Sequence, residues 1–407
     1  LNNGDLSKTE IVWFYPASMT QNRFNKFKAE WENTFATLFG APISNIIAAS
    51  ESVAPYYYHK AKKGATSTVV SVDIGGGTTD VLIVDKGEPK YLTSFRFAAN
   101  TIFGDGYSYD SDSNGFVNKY KDIITNQLET NNLRGLKAVL KSVLDKRVST
   151  DVIAFLFSLA SNKEIKKEKV EINFAKMLAD DNRGKYVVIL FYVAIVYHIA
   201  KLMKAKGFDM PRHMTFSGNG SKVLNILSTN DATLVRLTKI IFEEIYAQSY
   251  SIDGLDIIRP ANSKESTCKG GIILTPFQSQ DYGEIKDMKT ILIGTDNEKF
   301  ADVHMTYNDV TEADLDSVVD VIKEYIEFTF KLDKKFSFYD NFDVDRSIMN
   351  KVKDLCYRDI RTYLENGLAI KKSEIAQDGA DDNLEETLFF YPLVGIINAV
   401  VRNIYQM

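Results

Sequence analysis

The chain has 407 residues, of which 45% are hydrophobic and 25% charged, and its 49 basic and 54 acidic residues leave a formal net charge of −5. A chain this long holds more than one domain's worth of core, so two or three domains are expected. The mild acidic balance argues against a broad electrostatic footprint for nucleic acid.

Cys268 and Cys356 are the only cysteines. Two separated cysteines make no disulfide framework, which makes a reducing compartment, the cytoplasm, the default. His59, His198, His213 and His304 lack metal-ligand spacing and read as ordinary buried or surface residues. The chain opens Leu1-Asn2-Asn3-Gly4-Asp5 with no signal-peptide pattern, and the absence of a leading methionine predicts a fragment, a processed protein or a trimmed sequence. The longest apolar run, residues 186–200, is shorter than the ~20 residues a spanning helix needs and predicts a helix buried in a large core rather than a transmembrane segment.

In chain order, residues 9–16 read as a strand stopped by Pro16. Ser18 or Thr20 is positioned to cap a helix over 21–39, with Phe24, Phe27, Trp31, Phe35 and Leu38 forming a core stripe at helical spacing. A strand at 45–49, a tyrosine-rich helix ending near Lys62-Lys63-Gly64, and two strands at 69–72 and 81–84 continue an α/β alternation. A turn at 86–89 leads to a third strand over 91–97 and a glycine-bearing loop at 100–106. Residues 116–206 are helical in pattern, with solvated charges at 163–169 and a long apolar helix at about 184–205. A short strand at 214–216 empties into Ser217-Gly218-Asn219-Gly220-Ser221 and a helix over 222–227. That arrangement suits an anion or a sugar edge, and suits close packing equally well. Helices follow at 232–248 and in 263–274. Beyond 277, strands at 290–293 and 301–306 precede helices at 314–330 and 346–367, an acidic loop at 374–385, and an apolar tail at 389–404 interrupted by Pro392, read as a docked core helix rather than a membrane contact.

The densest chemistry lies at Asp73-Ile74-Gly75-Gly76-Gly77-Thr78-Thr79-Asp80. Period-2 strands around consecutive glycines read as a β-hairpin. Without Cβ atoms at the bend, a bulky anion can approach the backbone N–H groups. Two hydroxyls and two framing carboxylates suit phosphate and Mg²⁺. The simpler alternative is a glycine-rich hairpin whose aspartates only hydrogen-bond the turn.

With its flanking strands, this stretch resembles the second phosphate motif of the actin-like ATPase superfamily, which includes actin, DnaK-type chaperones, the bacterial filament proteins MreB and FtsA, and sugar kinases. The acid at Asp80 makes it most similar to the FtsA, MreB and DnaK forms. Ala49-Ser50-Glu51-Ser52-Val53-Ala54 resembles the first connecting motif, and residues 263–274, with Gly270-Gly271, the second. Phe216 to Ser221 resembles the adenosine motif, with Asn219 where a glycine is usual. Residues 11–16 resemble the last strand of the first lobe's sheet. The match covers about 10–106 and 213–276. The family's first phosphate loop precedes the 11–16 strand and is not in this sequence.

The resemblance implies an α/β, actin-like (ribonuclease H-like) fold: two lobes around a nucleotide cleft, a helical insertion and a mostly helical C-terminal extension. The implied divisions are 1–66 as a lobe I remnant, 67–106 with 213–276 as the lobe II core, 107–212 as the insertion and 277–407 as the extension. It implies ATP or ADP and Mg²⁺ as cofactors. Asp73 would position Mg²⁺ through water, with Asp80 holding the metal waters. Gly75, Gly76 and Gly77 would give amides to the phosphates, and Thr78 and Thr79 would add hydroxyls. Glu51 would orient the attacking water. Gly218, Asn219, Gly220 and Ser221 would carry the nucleoside. For each of these residues a packing or turn role is the alternative. The functions this leaves are a slow Mg-ATP hydrolase coupled to lobe closure and partner binding, a non-catalytic nucleotide-binding scaffold, and, less well supported by the residues, a small-molecule kinase. A protein partner through the insertion or extension, and an oligomer, are compatible with all three.

Overall fold

The structure, a computed structural model, describes residues 6–16, 19, 21–63, 68–107, 114–251, 254–260, 263–274, 305–378, 383–384 and 386–407. β1 (Ile11–Tyr15), α1 (Gln21–Phe39), β2 (Ile46–Ser50) and α2 (Ala54–Lys63) come first, and β1 pairs in parallel with β2. β3 (Val69–Ile74), β4 (Thr79–Asp85) and β5 (Glu88–Phe95) form the meander. Six helices follow: α3 (Ala99–Phe103), α4 (Gly115–Thr130), α5 (Arg134–Asp145), α6 (Ser149–Ser158), α7 (Lys163–Lys167) and α8 (Phe174–Ala179). The long α9 (Lys185–Ala205) leads to β6 (His213–Ser217), α10 (Leu224–Leu227), α11 (Asp231–Tyr246), β7 (Asp256–Ile258) and α12 (Ser263–Leu274). α13 (Glu312–Phe336), α14 (Phe338–Phe342), α15 (Met349–Cys356), α16 (Ile360–Asp378) and α17 (Phe390–Asn403) complete the described chain.

The second sheet has the order β5-β4-β3-β6-β7. β4 runs antiparallel to both neighbours, while β3, β6 and β7 are parallel. This is the α/β, ribonuclease H-like arrangement. Alternation sends Val70, Val72, Ile74, Val81, Ile83, Met214 and Phe216 to one face, within the larger core, and Val69, Leu82, Val84 and Leu92 to the other, against Trp13, Tyr15, Val53, Ala54 and Tyr56. β4 is buried on both faces, which explains its unbroken run of apolar residues.

The helix α9 lies on the first face. Phe191 stacks on Phe97 at 5.0 Å, and Tyr192 meets Phe216 at 5.7 Å. Its 21 residues exceed the apolar run read from sequence, because the ends carry Lys185, Lys201 and Lys204. Among the described residues it is the one helix long and apolar enough to cross a membrane, and 94% of that window is buried within the fold. A helix apolar all round is either a core helix or a spanning one, and here the sheet, α11, α13 and α17 cover it. α17 packs Phe390 on Phe95 at 4.0 Å, and the Tyr325 hydroxyl of α13 donates to the Leu190 carbonyl at 2.6 Å. Asp181 accepts from Tyr120 (3.0 Å), Tyr405 (2.5 Å) and Lys119 (2.9 Å), tying α4 and the C-terminal residues to the entry of α9. One core therefore runs from the sheet through the insertion into the C-terminal helices.

Several sequence expectations change. The loop at 100–106 opens as the one-turn helix α3, and a strand not expected, β7, closes the sheet edge. The helix expected at 346–367 breaks at Asp359, whose φ of +55° no helix interior accepts. The acidic loop starts later, since α16 runs to Asp378. Pro392 does not interrupt the last helix, because it falls in the first turn, where a missing N–H forfeits no bond. The α1 stripe is only half core: Phe24 and Phe35 are buried, while Phe27 is 42% and Leu38 70% exposed. The Ser18 or Thr20 cap, the 290–293 strand and most of the 301–306 strand lie outside the described residues.

Phe390→Ala should lower thermal stability by about 3–5 kcal/mol, the usual cost of emptying a buried phenyl site, measured by calorimetry. His198, boxed by Phe95, Phe389 and Phe390, is pushed down to about 3 by burial. Its folded value lies below the unfolded one, so its contribution is complete above about pH 6.5 and is lost as pH falls toward 3. His198→Leu should flatten the acid limb of the melting curve over that window, and parallel limbs for the two proteins would refute this assignment.

Candidate functional site

The register of β3 and β4 pairs Asp73 with Asp80 and Ile74 with Thr79, leaving Gly75, Gly76, Gly77 and Thr78 as the bend. Gly75 N–H donates to the Thr78 carbonyl at 2.9 Å and closes it. The carbonyls of Gly75 and Gly76 accept from Ala99 N–H (3.3 Å) and Asn100 N–H (2.8 Å), so the start of α3 braces the turn from one side. The next three amides, on Gly76, Gly77 and Thr78, donate to no acceptor among the described residues. Gly76 and Gly77 are exposed, and a Cβ at Gly77 would meet nothing within 4 Å. Successive free amides on an uncluttered turn form a donor set for an anion.

The β6 loop closes on this turn. β6 pairs with β3 so that Ser217 lies opposite Asp73. Gly218 follows at φ +80°, and a Cβ there would stand 2.2 Å from Asp73 Oδ1 and 2.2 Å from the Ile74 carbonyl oxygen. At Gly220 it would stand 2.1 Å from the Gly75 carbonyl oxygen. Both glycines are thus required by loop-on-loop packing, independently of any nucleoside. Ser221 donates its hydroxyl to the Gly218 carbonyl at 2.8 Å and is spent on the turn, while Asn219 is exposed.

Cross-strand partners share a face, so Ser94, Asp80, Asp73 and Ser217 form one row across four strands. It is a polar strip at the end of a face that also holds the buried pair Ser71 and Thr215, hydrogen-bonded at 3.1 Å. Asp80 is buried and Asp73 half-buried. The Ser94 hydroxyl is buried with no hydrogen-bond partner among the described residues. Two carboxylates and a spare hydroxyl supply oxygens that fit Mg²⁺, which takes one or two carboxylates and completes its shell with water and phosphate, while the neighbouring amides suit the phosphate. No group of three or more His, Cys, Asp or Glu side chains able to hold a metal occurs among the described residues.

Thr78 and Thr79 part company. Thr78 sits half-buried at the bend. Thr79 points to the opposite face, fully buried, and donates to the Phe97 carbonyl at 2.6 Å. Its expected hydroxyl contact with phosphate is corrected to a brace between β4 and the segment before α3, because strand alternation turns it away from Asp80. Glu51 follows β2, with its N–H on the Tyr15 carbonyl at 3.0 Å. Its carboxylate makes no hydrogen bond or ion pair among the described residues, so nothing joins it to the turn. The helices α2 and α12 meet each other instead: a Cβ at Gly270 of α12 would lie 1.8 Å from the Ala54 carbonyl oxygen of α2.

Sequence reading missed three contributors. Asn100 brings its side-chain amide to 3.6 Å from the Cβ position of Gly76; a helix directly after the third strand was its signal. Ser94 was legible by counting register across from Asp80. Arg259 was not legible. It borders a recess of about 280 Å³ with Ser221, Lys222 and Asn225, held by Asp231 (2.5 Å) and Asn225 (2.9 Å).

No protein-family model matches the chain, and no curated protein is similar to it. Among solved structures it is similar to the ethanolamine utilization protein EutJ from Carboxydothermus hydrogenoformans, at 12% identity over 66% of each chain with a TM-score of 0.29. The chain thus spans just under two thirds of that protein's length. It is also similar to MreB 5 of Spiroplasma citri bound to AMPPNP, at 14% identity over 69% of this chain and 72% of that one, with a TM-score of 0.35. At such low scores the fold rests on this chain's own strand order and hairpin, which are those of an actin-like α/β fold.

Gly218→Ala should destabilise the chain, by about 1–3 kcal/mol for a backbone conformation essentially reserved for glycine and about 1–3 kcal/mol for the overlap with Asp73 and Ile74. Gly77→Ala, in open space, should leave the melting temperature almost unchanged. Equal melting temperatures for the two variants would contradict the interlock.

Proposed function

We propose that this chain is an ATP-binding protein of the actin-like ATPase class, hydrolysing Mg-ATP slowly and coupling nucleotide state to lobe closure and partner binding. The carrying observation is the run of three free amides on Gly76, Gly77 and Thr78, beside the Asp73–Asp80 pair and clamped by the Gly218–Gly220 loop. In this reading the amides take the β- and γ-phosphates. Asp73 and Asp80 orient the waters of Mg²⁺, which supplies charge neutralisation at the phosphates when bound. Asn219 and the recess beside Ser221 border the nucleoside, with Gly218 and Gly220 holding that loop against the phosphate turn. The division into a lobe I remnant (1–66), a lobe II core (67–106 and 213–276), an insertion (107–212) and an extension (277–407) belongs to the same proposal. Closure would move the β1–β2 side toward the β3–β7 side and bring Glu51 to the attacking water.

The second reading is a nucleotide-binding scaffold without turnover. The absence of a hydrogen bond or ion pair from the Glu51 carboxylate to the turn, among the described residues, favours it.

Calorimetry with Mg-ATP and a phosphate-release assay separate the two. The chain should bind Mg-ATP, and Asp73→Ala should weaken binding about tenfold or more. Glu51→Ala should retain binding and lose turnover by about 10²–10⁴-fold, the range for a positioned general base. Binding without phosphate release supports the scaffold, and no binding refutes the nucleotide reading altogether.

A further inference from the structure

A local excess of cations lies on and just after α5, far in sequence from the hairpin. Between residues 134 and 147 stand five cations, Arg134, Lys137, Lys141, Lys146 and Arg147, against one carboxylate, Asp145, in a chain whose net charge is −5. Arg134, Lys137 and Lys141 recur at i, i+3 and i+7, which puts them on one face of the helix over about 10 Å. That face borders a groove of about 360 Å³ against α4, lined by Thr125, Arg134, Lys137, Ala138, Lys141 and Leu144. Its floor is methyl groups and aliphatic stems.

The cations are not there to hold the fold. Arg134 and Lys141 are exposed, and their side chains make no ion pair or hydrogen bond among the described residues. Lys137 reaches Glu129 at 2.9 Å across exposed surface, a contact worth little. Leu136 and Leu140, with the partly buried Val143 and Leu144, anchor this helix to the core, and that anchorage does not require the cationic row. Like charges three and seven residues apart repel mildly within the helix, so their common face is favourable only when an anionic surface comes to it.

We propose that the α4–α5 groove docks an acidic amphipathic helix of a partner protein, its carboxylates over Arg134, Lys137 and Lys141 and its apolar side chains on Ala138 and Leu144. A concave, apolar floor with one charged rim matches helix-in-groove recognition. A nucleic-acid strand asks instead for a longer cationic track and stacking aromatics, and none lines this groove. The proposal specifies the partner-binding part of the preceding function but does not depend on nucleotide, so its test is run without any.

The probe is a fluorescent, helix-forming peptide of about 15 residues, long enough to cover the face, with Glu at i, i+3 and i+7 and Leu along the adjacent stripe. A second peptide has every Glu replaced by Lys. Anisotropy should show the acidic peptide binding at least about tenfold more tightly than the basic one, with affinity falling as salt rises. Arg134→Glu with Lys141→Glu should abolish that preference at an unchanged melting temperature. Ala138→Trp, which fills the floor and keeps the cations, should also release the peptide. The proposal is overturned if the two peptides bind alike, if either variant binds the acidic peptide as the parent does, or if labelled oligo-dT or anionic vesicles compete it off through the same residues.

Discussion

Everything at the candidate site depends on two loops approaching closer than side chains permit. The hairpin turn at Gly75 and the loop after β6 touch backbone to backbone, with Gly218 and Gly220 set against Asp73, Ile74 and Gly75. A methyl group at either glycine would push the loops apart, shift the β3–β6 register and move the row that holds Asp73 and Asp80. On the other side, α3 draws the carbonyls of Gly75 and Gly76 toward its first amides. Held from both sides, the bend leaves the N–H groups of Gly76, Gly77 and Thr78 without an acceptor among the described residues. An anion site of this kind comes from preorganised backbone rather than from cationic side chains, which agrees with a chain of net charge −5.

The rest of the molecule holds that bend still. β4 is sealed on both faces, and α9 closes one of them with side chains apolar around its whole circumference. The insertion and C-terminal helices complete the burial of α9. Three tethers cross between distant segments: Asp181 with Tyr405, Arg96 with Glu386 at 2.9 Å, and Arg183 with Asp345 at 3.0 Å. Burial raises the Asp181 carboxyl, but hydrogen bonds from Tyr405, Lys119 and Gly184 outweigh it and hold the group below the ordinary carboxylate value. By contrast β1 and β2 form a two-stranded parallel sheet with a smaller core. The two sides of the central sheet therefore differ in how much holds them.

Local patterns made much of this visible in advance. Alternating Val and Ile around three glycines define the hairpin without reference to any distant residue, and the aromatic and apolar spacing of 21–39 and 185–205 defines α1 and α9. The helix over Ser263–Leu274 was placed at its observed bounds by resemblance to a family motif and not by local preference, since Gly270, Gly271, Ser266 and Thr267 are weak helix formers. Reading failed where a residue's effect depends on what faces it. Pro392 is disruptive in a helix interior and harmless in a first turn. Thr79 looks like a phosphate ligand beside Thr78 until alternation turns it inward. The short edge strand β7 carries three residues, too few for a period to register.

By itself the sequence determined the hairpin, the alternation that buries β4, and the residue types at the bend, since these follow from short-range sterics and from a period of two or 3.6. Only the tertiary structure decided that Gly218 and Gly220 are fixed by contact with Asp73 and Gly75, and that the C-terminal helices share the core of the sheet. The glycine contacts and the shared core arise between segments more than a hundred residues apart, where register and close approach, rather than local preference, select the neighbour.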